Sequence, residues 1–183
     1  MANMEPIRNR IELAKVFNDL GFKIGAEIGV AEGRYSQILC EAIPNLHLIC
    51  VDVWKPYGEN WRMDEYQDKA YEEAVQRLSK YDVDIKRTTS LEASLTVPDD
   101  SLDFVFIDGA HDFDNVMLDI ILWAKKVRKG GIVSGHDYMH FHKSGVVEAV
   151  NKYTEEHRIE LNVIGRNQNE HKDDQQPCWF FMK

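Results

Sequence analysis

A doubly wound α/β sheet is the fold the sequence predicts, and three observations predict it. Short apolar runs alternate with stretches of helical periodicity along the whole chain, the pattern of a parallel sheet covered by helices on both faces. The run Leu102-Asp103-Phe104-Val105-Phe106-Ile107-Asp108 is almost continuously apolar, as in strands buried on both sides. The segment Ala26-Glu27-Ile28-Gly29-Val30-Ala31-Glu32-Gly33 joins an apolar strand to a glycine turn, and Asp52 ends the next apolar run. In such sheets the crest of the first strand holds a nucleotide-like ligand, and an acid ending the second strand suits ribose hydroxyls.

The elements follow in order. Pro6 suits a first helical position, and Ile7, Ile11, Ala14, Phe17 and Leu20 recur at helical spacing until Gly21. Residues 22–30 read as the first strand, 34–43 as a helix closed by Pro44, and 46–53 as the second strand. WKPYGENW (54–61) reads as a surface loop, and its Trp54, Tyr57 and Trp61 suit either a lid or anchors onto the core. Tyr71, Ala74, Val75 and Leu78 mark one face of the next helix. VDIKRT is a short strand leading to the turn Thr89-Ser90-Leu91-Glu92. A helix over about 112–128 carries Val116, Ile120, Trp123 and Val127 on one stripe, and Gly130-Gly131 is expected to end it. IVSGHD is a strand, residues 144–157 a helix, and ELNVIG and CWFFMK two final strands joined through the polar 166–176 stretch.

The chain has 183 residues, 44% hydrophobic and 29% charged, which fits one soluble domain spanning 1–183. A formal charge of −9 argues against a nucleic-acid surface. No apolar run approaches a membrane span. Cys40, Cys50 and Cys178 lack metal-ligand spacing and cannot all pair, so free thiols in a reducing cytoplasm are expected.

The glycine turn is G-x-x-x-G rather than G-x-G-x-x-G, and Glu27 and Glu32 would repel a pyrophosphate. A ligand without phosphate and with positive character fits better; S-adenosylmethionine, with its sulfonium, ammonium and ribose, is such a ligand. AEIGVAEGRYS, LHLICVD, SLDFVFIDGAHDFDNV, WAKKVRKGGIVSGHDY and the terminal WFF together resemble the class I S-adenosylmethionine-dependent methyltransferases. IDGAH followed by GGIVSGHDY is similar to their metal-dependent O-methyltransferase branch, the catechol and macrocin-type enzymes. The resemblance implies a three-layer Rossmann-like methyltransferase fold, with a seven-stranded, mostly parallel sheet whose last strand is antiparallel.

The resemblance also implies roles for particular residues. Gly29 and Gly33 let backbone approach the methionine portion, and Glu27 meets its ammonium. Ser36 either bonds the cofactor carboxylate or faces solvent from its helix. Asp52 holds the ribose, and Ser90 and Leu91 belong to the adenine-contacting turn. Asp108 and Asp137 end adjacent strands beside the methyl group, where two carboxylates suit Mg²⁺ or Mn²⁺; Asp108 counts toward both cofactor and metal. His111 stands at the position of a general base. His136 replaces an acid of the macrocin-type pattern and is counted as a third metal ligand, with orienting Asp137 or packing as alternatives. His140 and His142 are read as loop residues near the acceptor. The expected acceptor is a small hydroxylated molecule, and a homodimer is one way to complete its pocket. A catalytically silent cofactor-binding module and a metal-dependent hydrolase are the competing classes.

Overall fold

The computed structural model describes residues 7–56, 64–141, 144–165 and 176–183. Pro6, Tyr57, Trp61, His142 and most of the 166–176 stretch lie outside them. The elements run α1 (Arg10–Asp19), β1 (Ile24–Ile28), α2 (Arg34–Ala42), β2 (His47–Asp52), α3 (Asp64–Leu78), β3 (Val83–Arg87), α4 (Ser90–Ser94), β4 (Leu102–Ile107), α5 (Phe113–Lys126), β5 (Val127–Gly135), α6 (Val146–His157), β6 (Asn162–Ile164) and β7 (Cys178–Met182).

The strands form one sheet in the order β3-β2-β1-β4-β5-β7-β6. β1 pairs parallel with β2 and β4, and β4 with β5, while β7 runs antiparallel to both β5 and β6. This is the expected seven-stranded arrangement with its antiparallel last strand. Strand order reverses between β1 and β4, so the crevice outside their carboxyl ends is the place for a ligand.

Alternation along β4 divides the core. Phe104 and Phe106 pack with Leu13, Phe17, Leu39 and Leu78 on one face. Val105 and Ile107 pack with Ile120, Trp123, Val150 and Phe181 on the other, as period-two geometry requires. Phe17 stacks on Phe104 with centroids 4.3 Å apart, which fixes α1 across the sheet.

Local chemistry moved several boundaries. α1 begins after Asn9, whose side chain accepts the Glu12 N–H, a cap that a proline cannot supply. Its buried stripe is Arg10, Leu13, Ala14 and Phe17, and Leu20 is exposed. On α3, Ala70, Ala74 and Leu78 are buried whereas Val75 is not. The expected turn at 89–92 is the start of α4: Thr89 and Glu92 form a reciprocal capping box. Gly130-Gly131 does not end a helix. α5 stops at Lys126, and both glycines lie inside β5, where pairing with β4 shifts register. A Cβ on Gly131 would sit 2.3 Å from the Asp103 carbonyl oxygen; glycine here lets the irregular strand approach its neighbour. Among the described residues, no helix is long and apolar enough to cross a membrane.

At Gly29, φ is +90° and a Cβ would stand 2.0 Å from the Asp108 carbonyl oxygen. Gly21 has φ +74° with open space around it. Gly21→Ala should therefore cost only the conformational strain, about 1–2 kcal/mol, and Gly29→Ala a further ~1–3 kcal/mol of overpacking. Denaturant titration of the two variants checks this. Equal losses would contradict the close approach of Gly29 to Asp108.

Candidate active site

The glycine turn is held from β2. Asp52 Oδ2 accepts the Val30 and Ala31 N–H groups, each at 2.9 Å, and Oδ1 accepts the Trp54 N–H at 2.8 Å. Three backbone donors on one carboxylate fix the turn's shape and leave limited acceptor capacity for a ligand. Asp52 still borders the cleft. Trp54 is fully buried, donates its indole N–H to the Ala31 carbonyl at 2.9 Å and meets Tyr71 edge-on. It therefore anchors the turn to the core and is no part of a lid.

Glu27 lies 2% exposed at the end of β1 and lines the same cleft. Burial pushes its carboxyl up to about 8, against the lowering effect of the Ser36 hydroxyl that donates to it. Ser36 is wholly buried and lies behind Glu27 rather than in the cleft wall. Gly33 caps α2 at φ +75° and faces Ala74 and Leu78, also behind the cleft.

Four titratable side chains meet at the ends of β4 and β5. His111 Nε2 lies 2.8 Å from Asp137 Oδ2 and 3.7 Å from Asp108 Oδ1. His136 Nδ1 lies 3.6 Å from Asp108 Oδ1 and 3.5 Å from Asp137 Oδ1. Burial alone would lower both imidazoles, but the two carboxylates outweigh it and carry His111 up to about 10 and His136 to about 9. Burial acts to raise Asp108 and Asp137, and the imidazoles reverse it, leaving both carboxyls below the usual range. On the outer side of Asp108, the Arg10 guanidinium stands 3.6 Å from Oδ2 and over the Tyr35 ring.

Ligand atoms of Asp108, His111 and Asp137 lie within 4.8 Å of one another. Although close to Asp137, His111 Nε2 is buried without a hydrogen bond of acceptable geometry. Donor atoms that converge without pointing at each other are what a shared cation needs, so these residues fit a divalent ion. In this group His111 stands where the sequence led us to expect His136, which lies as far from Asp108 as His111 does and farther from Asp137. His140 is separate, pairing with Glu148 at the surface.

At the opposite end of the cleft Ser90 borders the cavity, whereas Leu91 is exposed outside it. Ser90 donates its hydroxyl proton to Asp119 and accepts the Trp123 indole N–H at 2.8 Å. Burial pushes the Asp119 carboxyl up to about 6. The cleft as a whole measures about 940 Å³, room for a nucleoside-sized ligand and a small second molecule. Arg10 and Asp119 escaped the sequence reading because each sits within a helix whose apolar stripe was the stronger signal.

Residues 26–138 match a family described as "Methyltransferase domain". Uncharacterized protein R132 of Acanthamoeba polyphaga mimivirus is 31% identical over 129 residues, 69% of this chain and 57% of that protein. The chain thus spans little more than half the length of this curated relative. Among solved structures, an O-methyltransferase from Bacillus cereus in complex with SAH superposes with a TM-score of 0.69 at 13% identity, covering 99% of this chain and 83% of that one. O-methyltransferase TomG from Streptomyces achromogenes, involved in tomaymycin synthesis and solved with SAM, gives 0.67 at 18% identity, covering 94% and 78%. At these identities the likeness establishes the fold.

The raised Glu27 carboxyl predicts a pH slope of stability. Between pH 4.5 and about 8 the unfolded chain loses this proton while the folded chain keeps it, so stability falls as pH rises and levels off above 8. Glu27→Gln, which cannot ionise, should remove this contribution and gain on the order of a few kcal/mol over the ligand-free parent at pH 8.5, with the gap closing near pH 5. Denaturant midpoints for both proteins across that range measure it; a gap independent of pH would contradict it.

Proposed function

The chain belongs to the methyltransferase-domain family, and on that premise we propose that it transfers a methyl group from S-adenosylmethionine to the hydroxyl of a small molecule with the help of a divalent cation. One observation carries the reading: the Asp52-clamped glycine turn and the Asp108–His111–Asp137 cluster share one cleft, on adjacent strand ends. A silent binding module has no use for that cluster, and a hydrolase leaves the turn without a purpose. The SAH and SAM complexes of the two structural relatives support the choice of donor. A formal charge of −9 favours a small acceptor over nucleic acid.

In the proposed reaction an oxygen–carbon bond forms as the sulfonium–carbon bond breaks, leaving S-adenosylhomocysteine, and the acceptor hydroxyl gives its proton to solvent water. The donor is already activated, so the protein's task is alignment and proton removal. Glu27, buried at the strand end, gives the donor's ammonium a carboxylate, and the ammonium's charge offsets the cost of ionising a buried carboxyl. Asp52 keeps the turn open along its backbone and offers its remaining acceptor capacity to the ribose. A cation held by Asp108, His111 and Asp137 would lower the hydroxyl's pKa and fix its direction. Arg10 bears on Asp108 Oδ2 and leaves Oδ1 facing the histidines. Without an ion, His111 is held in its protonated form by the two aspartates, and an imidazolium cannot accept the acceptor's proton.

Calorimetry with S-adenosylhomocysteine and with Mn²⁺, run separately, tests both halves. The parent protein should bind each. Asp137→Ala should lose Mn²⁺ binding and retain S-adenosylhomocysteine binding. With labelled S-adenosylmethionine and a panel of catechols and sugars, transfer should stop in EDTA and return with Mg²⁺ or Mn²⁺. Full turnover in chelator would remove the cation from the reaction, and failure to bind S-adenosylhomocysteine would remove the donor.

A further inference from the structure

Resting on the reading of a cation at Asp108, His111 and Asp137, we propose that Arg10 is a positioning residue for it. Arg10 keeps Asp108 Oδ2 from the ion, so that Asp108 ligates through Oδ1 alone and a coordination position stays open for the acceptor hydroxyl. Arg10 stands on the buried stripe of α1 with Leu13, Ala14 and Phe17. Its side chain is 10% exposed and borders the cleft. A charge on such a stripe costs desolvation. Attachment of the helix does not call for one, because Leu13 and Phe17 already pack into the apolar core.

The guanidinium is held in place by α2. The Tyr35 ring lies 4.9 Å from it, and the Tyr35 hydroxyl donates to the Arg10 carbonyl at 3.0 Å. That ring packs in turn on Phe106 of β4, with centroids 4.3 Å apart. The two oxygens of Asp108 consequently meet different neighbours. Oδ2 faces the fixed positive charge at 3.6 Å, whereas Oδ1 faces His111 Nε2 at 3.7 Å and His136 Nδ1 at 3.6 Å. A cation drawn to Oδ2 would be repelled by the guanidinium; at Oδ1 it meets nitrogens that can ligate it. A carboxylate bound through both oxygens fills two positions on a small divalent ion, and an ion that is to direct a substrate hydroxyl must keep one open. Partners behind a ligand set its orientation in this way. At 3.6 Å the contact is an ion pair longer than a hydrogen bond, so the charge of Arg10, rather than the fork of its donors, acts on Oδ2.

Two measurements on the parent, Arg10→Met and Arg10→Lys test the assignment, with unfolding midpoints confirming that each variant is folded. Calorimetry gives the Mn²⁺ affinity, and water-proton relaxation counts the waters on the bound ion. Arg10→Met removes the charge and frees Oδ2, so Mn²⁺ should bind tighter by roughly 10- to 100-fold while the ion holds fewer waters. Arg10→Lys keeps a cation facing Oδ2 and should stay within about threefold of the parent's affinity, with the parent's water count. A residue that only pinned α1 would move the unfolding midpoint and leave the water count alone. Unchanged or weaker Mn²⁺ binding in folded Arg10→Met, or tighter binding with no loss of water, overturns the role of Arg10 and leaves the cation reading intact. Equal changes in the Met and Lys variants overturn it too, since the charge would then not be the cause. A parent that binds no Mn²⁺ overturns the cation reading and this proposal together.

Discussion

At the carboxyl ends of β1 and β4 two backbone turns pack with no room for a side chain between them. The Asp108 N–H donates to the Ile28 carbonyl at 2.7 Å, and the α-carbon of Gly29 faces the Asp108 carbonyl too closely for any Cβ. Everything proposed for the cleft depends on this contact. It brings the turn that receives the donor beside the carboxylate that begins the cation cluster. Asp52 then shapes the turn from one side, while His136 donates its N–H to the Ile107 carbonyl at 3.0 Å and starts the β5 loop from the other. A bulkier contact would separate donor and acceptor, and alignment is most of what this chemistry asks of a protein.

The same crevice concentrates groups that cost stability. Glu27 and Asp119 have carboxyls raised by burial, and Asp108 and Asp137 are kept ionised by the imidazoles beside them, with Arg10 also facing Asp108. The apolar layers on the two sheet faces have no such tension: Phe17 on Phe104 and Trp123 beside Ile120 are side chains with little to gain from any ligand. Stability is thus supplied by the sheet and held down at its crest, and ligands carrying an ammonium or a divalent charge should stabilise the protein by relieving it. Free cysteines play no part in this. Burial raises the thiols of Cys40 and Cys50 well above their usual range, which leaves them unreactive.

The sheet was legible because its signal is repetitive: apolar runs, helical stripes and acids at strand ends recur at the expected intervals. Asp52, Asp108 and Asp137 could be placed at the crest for that reason. The contacts between elements were not legible in the same way. Nothing in the spacing of His111 and Asp137 says that the two side chains touch, because β5 brings them together through the fold. Ser36 carries the residue type for a ligand contact, but the turn of α2 directs it to Glu27. Thr89-Ser90-Leu91-Glu92 did contain a readable capping box, yet a short stretch with three polar residues of four looks equally like a turn. Gly130-Gly131 resembles a helix stop, and only the register shift against β4 reveals its place within a strand.

The direct test of the cation cluster is pulsed electron paramagnetic resonance of Mn²⁺ bound to the protein, reading nitrogen modulation from coordinated imidazole. The geometry of Asp108, His111 and Asp137 predicts imidazole nitrogen on the ion in the parent, its loss in His111→Ala and its persistence in His136→Ala. Bound Mn²⁺ without nitrogen modulation in the parent, or modulation lost only in His136→Ala, would contradict the arrangement and return His111 to the role of a base.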